Sequence, residues 1–95
     1  KETSLLRMTT AYAHMPSYGY SVVPYGIVSI RTPKGKKLFT YEGTPARKLI
    51  AGDIVEMMNY MMMGVVRGGT ATKAALPGRD AAGKTGTSQN FKDAW

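Results

Sequence analysis

One stretch of this sequence, Asp53 to Gly69, constrains the fold more than any other. Ile54, Val55, Met57, Met58, Met61, Met62, Val65 and Val66 recur at helical spacing and form a wide apolar face, with Glu56, Asn59 and Arg67 opposite. Asp53 is placed to cap this helix. Glu56, three residues later, is placed to reach back, which is the pattern of a capping box. Gly68-Gly69 ends it. Five of the seven methionines lie here. Unbranched thioether side chains can line a promiscuous groove, but packing in a core is their commoner use. The face is broad for so short a chain, which implies burial on more than one side, by parts of a larger protein.

The rest of the chain supplies a second helix and a hairpin. From Ser4 to Met15, Leu5, Leu6, Met8, Tyr12, Ala13 and Met15 fall on one side, with Arg7, Thr10 and His14 opposite. Ser4 is the natural N-cap, and Pro16 and Gly19 stop the helix. Tyr20 to Tyr41 reads as two strands. The first is rich in β-branched side chains but interrupted by Pro24, so it begins at an edge or a bulge. The second is Lys37 to Tyr41, joined to the first through Pro33–Lys36 with Gly35 at the tight position. Glu42 to Gly52 is a polar connector. Thr70 to Asp80 is irregular, with a turn at Pro77-Gly78, and Ala81 to Ser88 reads as a further strand. The fold class is α+β.

Composition removes several functions. The chain of 95 residues is 43% hydrophobic and 20% charged, a globular balance with room for one domain at most. No apolar run approaches the ~18 residues of a membrane span, and no signal peptide opens the chain. Without cysteine there is no disulfide framework, thiolate nucleophile or cysteine-based zinc site. The lone histidine, His14, sits in a helical pattern with no triad motif around it. The net charge of +7 favours anionic partners, but the 13 basic residues are dispersed. Their only cluster, Lys34, Lys36 and Lys37, falls in the hairpin turn, where solvated lysines are ordinary.

Two motifs overlap near the C-terminal end. Gly78-Arg79-Asp80-Ala81-Ala82-Gly83-Lys84-Thr85 spells the phosphate-binding loop G-x-x-x-x-G-K-[ST]. In that loop, backbone N–H groups cradle phosphates, the lysine reaches the outer oxygens and the hydroxyl holds magnesium. The loop works only between a buried strand and a helix. Thr70 to Pro77 does not read as a hydrophobic strand, and Gly86-Thr87 opens a helix poorly. A small basic module binding nucleotide or nucleic acid through Gly78–Thr85 is the alternative reading of this chain.

The second motif is Lys84-Thr85-Gly86, one of the three signatures of penicillin-binding proteins and serine β-lactamases. Its surroundings carry the resemblance. Ala82 to Gln89 followed by Lys92-Asp93-Ala94-Trp95 resembles the family's K-T-G strand and next turn. Leu5–Ala13 resembles the helix upstream of its hairpin, and Pro24-Tyr25 with Pro33–Lys37 resembles the hairpin itself. Gly64–Ala71 resembles its V-V-x-x-G-T segment. The whole chain is collinear with a penicillin-binding-protein transpeptidase domain, most like the bifunctional glycosyltransferase/transpeptidase class.

That resemblance implies a function. Residues 1–95 would be part of a peptidoglycan D,D-transpeptidase that cross-links stem peptides through an acyl-serine and is the target of β-lactams, without metal or cofactor. Catalytic roles fall to Lys84 and Thr87, the latter giving a backbone N–H to the oxyanion. Substrate binding falls to Thr85, Gly86 and Thr87: hydroxyls for a terminal carboxylate, and a glycine that lets a peptide backbone lie along the strand edge. In a flat strand Lys84 and Gly86 face one way and Thr85 and Thr87 the other, so a site using both belongs at the edge. The chain is read as lacking the family's upstream S-x-x-K and S-x-N motifs. The third residue after Ser4, Ser17, Ser21, Ser29 and Ser88 is Arg7, Tyr20, Pro24, Thr32 and Phe91. The segment alone is therefore expected to be inactive. The parent is expected at the extracytoplasmic, periplasmic face of a bacterial inner membrane, held by an N-terminal anchor outside this segment, with no nucleic-acid partner.

Overall fold

The computed structural model describes residues 2–95 as two compact units, one ending at Ala51 and one spanning Gly52–Trp95. In the first, helix α1 runs Leu5–Ala13. Ser4 precedes it in extended conformation, and its Oγ accepts from the Arg7 N–H at 3.3 Å, the cap its position implied. The helix stops short of the expected Met15. His14 closes it, with ring Nδ1 donating to the Ala11 carbonyl at 2.9 Å, since a carbonyl can only accept. This histidine's ring is thus engaged at the helix end.

The strand expected from Tyr20 is much shorter than its β-branched run. The ladder holds only β1, Ser29–Arg31, and β2, Lys37–Thr40, antiparallel with Ile30 opposite Phe39 and an irregular register between Ile30 and Arg31. The beginning of the run is engaged elsewhere. The Ser21 N–H donates to the Arg47 carbonyl at 2.8 Å, and the Arg47 N–H returns to Ser21 Oγ at 2.9 Å. The turn is as read: Gly35 takes φ of 86°, which a side chain would resist, and its N–H donates to the Thr32 carbonyl at 2.8 Å.

The second unit is built on helix α2, Gly52–Gly68. The capping box is corrected. Because the helix starts at Gly52, Asp53 lies inside its first turn, where Oδ1 reaches only the adjacent Ile54 N–H at 2.9 Å. Its charge still suits the positive end of the helix dipole. The broad apolar face narrows to one buried stripe of Val55, Met62 and Val66, while Ile54, Met57 and Met61 stay exposed. After the helix, the N–H groups of Gly69 and Ala71 both donate to the Val65 carbonyl at 3.1 Å. A Cβ on Gly69 would stand 2.8 Å from Val65 Cα, so only glycine permits this wrap. A 3₁₀ turn, Thr72–Ala74, follows and packs back on α2. Gly78 takes φ of 70° in the Pro77-Gly78 turn.

The elements are α+β, two helices and one hairpin, as expected. Neither unit has the core of a free-standing domain. Three buried apolar side chains, all on α2, are the whole core of the described residues. The chain exposes 8202 Å². Even two separate folded bodies of half its mass would expose only about 6,500 Å². No helix among the described residues is long and apolar enough to cross a membrane.

Candidate active-site edge

The Lys84–Thr87 segment lies in the second unit, tied to α2 on one side and to a small hairpin on the other. The Gly83 N–H donates to the Met62 carbonyl at 3.2 Å, and Thr85 Oγ1 lies 2.8 Å from Thr70 Oγ1, just past the end of α2. Downstream, Gly86 exchanges both backbone bonds with Trp95, at 3.0 and 2.9 Å. Thr87 then bridges Ala94, and the Ser88 N–H donates to the Asp93 carbonyl at 2.9 Å. The turn between them is fastened by side chains. The Asp93 N–H donates to Ser88 Oγ at 2.8 Å, and Ser88 Oγ makes a longer contact to Asp93 Oδ2 at 3.4 Å.

The strand expected over Ala81–Ser88 is thus corrected to a short ladder that begins only at Gly86. Ala81 to Thr85 follow α2 and have no strand neighbour among the described residues. The ladder nonetheless fixes which way the backbone faces. In an antiparallel pair, alternate residues turn their N–H and C=O toward the partner and away from it. Gly86 and Ser88 face Trp95 and Asp93, so Thr85 and Thr87 face the other edge. Among the described residues the Thr87 N–H has no hydrogen-bond partner. Lys84 joins that edge: its Nζ donates to the Thr85 carbonyl at 2.7 Å and reaches Thr85 Oγ1 at 3.5 Å. Lys84, Gly86 and Thr87 are exposed and Thr85 is half-buried. One open edge therefore presents an ammonium group, an unused backbone N–H and a threonine hydroxyl, a set suited to an anionic, extended ligand.

Sequence reasoning missed three residues. Thr70 lies in the Gly64–Ala71 stretch that carries part of the resemblance, but nothing in its spacing ties it to Thr85. The Ser88–Asp93 fastening was equally hidden. Ser88-Gln89-Asn90 also spells S-x-N, which the reading of the sequence passed over. It follows K-T-G rather than preceding it. Asn90 sits in the turn at φ of 61°, and the Ser88 hydroxyl is taken by Asp93, so these residues do not form that upstream motif.

The phosphate-loop reading loses its frame. Before Gly78 stand the Thr72–Ala74 turn and an isolated Leu76–Arg79 bridge instead of a buried strand, and extended chain follows Thr85 where a helix is required. Asp80 is engaged by Arg67 at 3.3 Å. Calorimetry with ATP or GTP and magnesium at millimolar ligand is expected to show no saturable binding. A saturable signal abolished by Lys84→Ala would restore the nucleotide reading.

Comparison with known proteins decides the family. Residues 1–94 match the model of the penicillin binding protein transpeptidase domain. The chain belongs to this family. It is 38% identical over 99 aligned positions to penicillin-binding protein 1A of Neisseria lactamica, covering 99% of this chain. It is 37% identical over 71 positions, 74% of this chain, to penicillin-binding protein 1A of Pseudomonas aeruginosa. The chain spans only 12% and 9% of the length of these two relatives. Among solved structures, the D,D-transpeptidase domain of a peptidoglycan glycosyltransferase from Eggerthella lenta superposes with a TM-score of 0.85 at 28% identity. That match covers 97% of this chain and 22% of the other.

Proposed function

We propose that this transpeptidase-family segment is the K-T-G edge of a peptidoglycan D,D-transpeptidase, working inside a complete domain that supplies the S-x-x-K serine and the S-x-N motif. One observation carries the reading. In a chain matched by the family over residues 1–94, the Lys84 ammonium, the Thr85 hydroxyl and the unused Thr87 N–H stand at one open strand edge. An extended stem peptide adds to that edge by backbone pairing, and Gly86 leaves room for it. Lys84, Thr85 and Thr87 bind its terminal carboxylate. The Thr87 N–H donates to the oxyanion formed when the serine attacks the penultimate D-alanine carbonyl. The bond to the terminal D-alanine breaks, D-alanine leaves with the proton, and an acceptor amine then displaces the serine from the ester.

β-Lactams enter as carboxylate-bearing analogues that acylate the same serine, making the parent an antibiotic target. The 1A-type relatives support a bifunctional parent with a glycosyltransferase domain elsewhere, anchored in the inner membrane with this domain on the extracytoplasmic side. The reading is tested by release of D-alanine from a synthetic stem pentapeptide. The complete domain carrying this segment is expected to release it in turnover, and Thr85→Val to raise the peptide concentration needed for half-maximal rate. Turnover indifferent to the C-terminal carboxylate of the peptide would argue against the edge as its binding site.

A further inference from the structure

We infer that Thr70 is a positioning residue whose hydroxyl donates to Thr85 and thereby leaves the Thr85 proton free for the substrate carboxylate. The inference rests on the reading above, that Thr85 binds this carboxylate. A threonine hydroxyl has one proton and two lone pairs. The 2.8 Å contact between Thr70 Oγ1 and Thr85 Oγ1 allows either oxygen to be the donor. If Thr85 donated inward, it would turn only lone pairs toward an anion and repel it. If Thr70 donates, Thr85 accepts from behind and gives its own proton forward.

Lys84 favours the same direction. Its ammonium can only donate, and at 3.5 Å it adds positive potential at Thr85 Oγ1, most useful when an anion arrives. Thr70 is exposed, and among the described residues its hydroxyl has no protein partner other than Thr85. Its proton is therefore not claimed elsewhere, and water can satisfy its lone pairs. The position is prepared by the backbone. Gly69 and Ala71 both close on the Val65 carbonyl, which holds Thr70 over the strand, and Gly69 admits no Cβ there.

The test compares benzylpenicillin with its methyl ester, which lacks the carboxylate charge, as acylating agents of the complete domain. Second-order rates are read by competition with a fluorescent penicillin. Thr70→Val keeps the shape and removes the donor. It is expected to slow acylation by the acid about fivefold, the scale of one lost neutral hydrogen bond that orients and polarises the Thr85 hydroxyl, and to leave the ester rate within about twofold. Thr70→Ser restores the donor and is expected to recover most of the acid rate. A merely structural role would slow both ligands alike, so an unchanged acid-to-ester ratio in Thr70→Val overturns the inference. Thr85→Val separates the two levels. If it lowers the ratio while Thr70→Val does not, the inference about Thr70 falls and the carboxylate site stands. If Thr85→Val leaves the ratio unchanged, the carboxylate site falls and the Thr70 inference with it.

Discussion

Incubated with a fluorescent penicillin and run on a denaturing gel, the 95-residue chain is expected to stay dark, while the complete domain containing it labels stoichiometrically. Covalent capture needs a serine with a base beside it, and none of the five serines here has one. Ser4 caps α1, and Ser21 accepts from the Arg47 N–H. Ser88 has a carboxylate near it, but Asp93 Oδ2 lies at 3.4 Å and the serine oxygen already accepts from the Asp93 N–H. Non-covalent capture is equally weak. An exposed ammonium meeting one carboxylate in water gains ~0–1 kcal/mol, against about 4 kcal/mol for millimolar affinity. The edge itself needs support, because three buried side chains supply little of what ordering the chain costs. Equilibrium dialysis with radiolabelled penicillin is expected to show no retention by the segment. Stoichiometric labelling of the 95-residue chain would reveal a nucleophile among these serines and overturn the division of labour proposed here.

What was legible in the sequence was what local chemistry decides. Ser4 caps α1 because a hydroxyl before an apolar run has an N–H three residues away to accept from. Gly35 turns the hairpin because its φ of 86° excludes most other residues. Such features need no knowledge of the remaining chain. Where sequence reasoning failed, a distant partner was involved. Tyr20 and Ser21 look like the start of a strand, but their partners are Lys48 and Arg47, and β1 begins eight residues after Ser21. Asp53 looks like a cap, but α2 extends back to Gly52 and leaves it inside the first turn. The apolar face of α2 was drawn correctly as a pattern. Which of its residues become buried depends on what packs against them, and only Val55, Met62 and Val66 find cover among the described residues. The candidate edge divides in the same way. Lys84, Thr85, Gly86 and Thr87 were marked by their motif. Thr70, fifteen residues before Thr85, was visible only through the fold.

In the complete domain, Lys84→Ala is expected to slow acylation by a penicillin about a hundredfold, the scale on which loss of one preorganised electrostatic group in a closed active site is felt. The same ammonium that is worth little in the isolated segment acts differently once the domain covers the edge and excludes water, because its field is then no longer screened. Lys84 sits at the edge by a short bond, Nζ to the Thr85 carbonyl at 2.7 Å, which holds the charge 3.5 Å from the Thr85 hydroxyl. Its removal takes away attraction for the ligand carboxylate and, in the proposed reading, charge that favours the serine's ionised transition state. Two readouts separate these effects. If the charge mainly binds the carboxylate, the methyl ester of penicillin should lose far less than the acid. If it mainly serves the serine, acid and ester should slow together. Salt gives a further check on encounter: until the ligand closes the edge the ammonium is exposed, so raising ionic strength should slow acylation of the parent domain, and that dependence should flatten in Lys84→Ala. Lys84→Arg keeps the charge but replaces a compact ammonium with a wider planar group, so it should recover only part of the rate. A complete domain that labels as fast without Lys84 as with it would remove this residue from the site and leave Thr85 and Thr87 to hold the carboxylate alone.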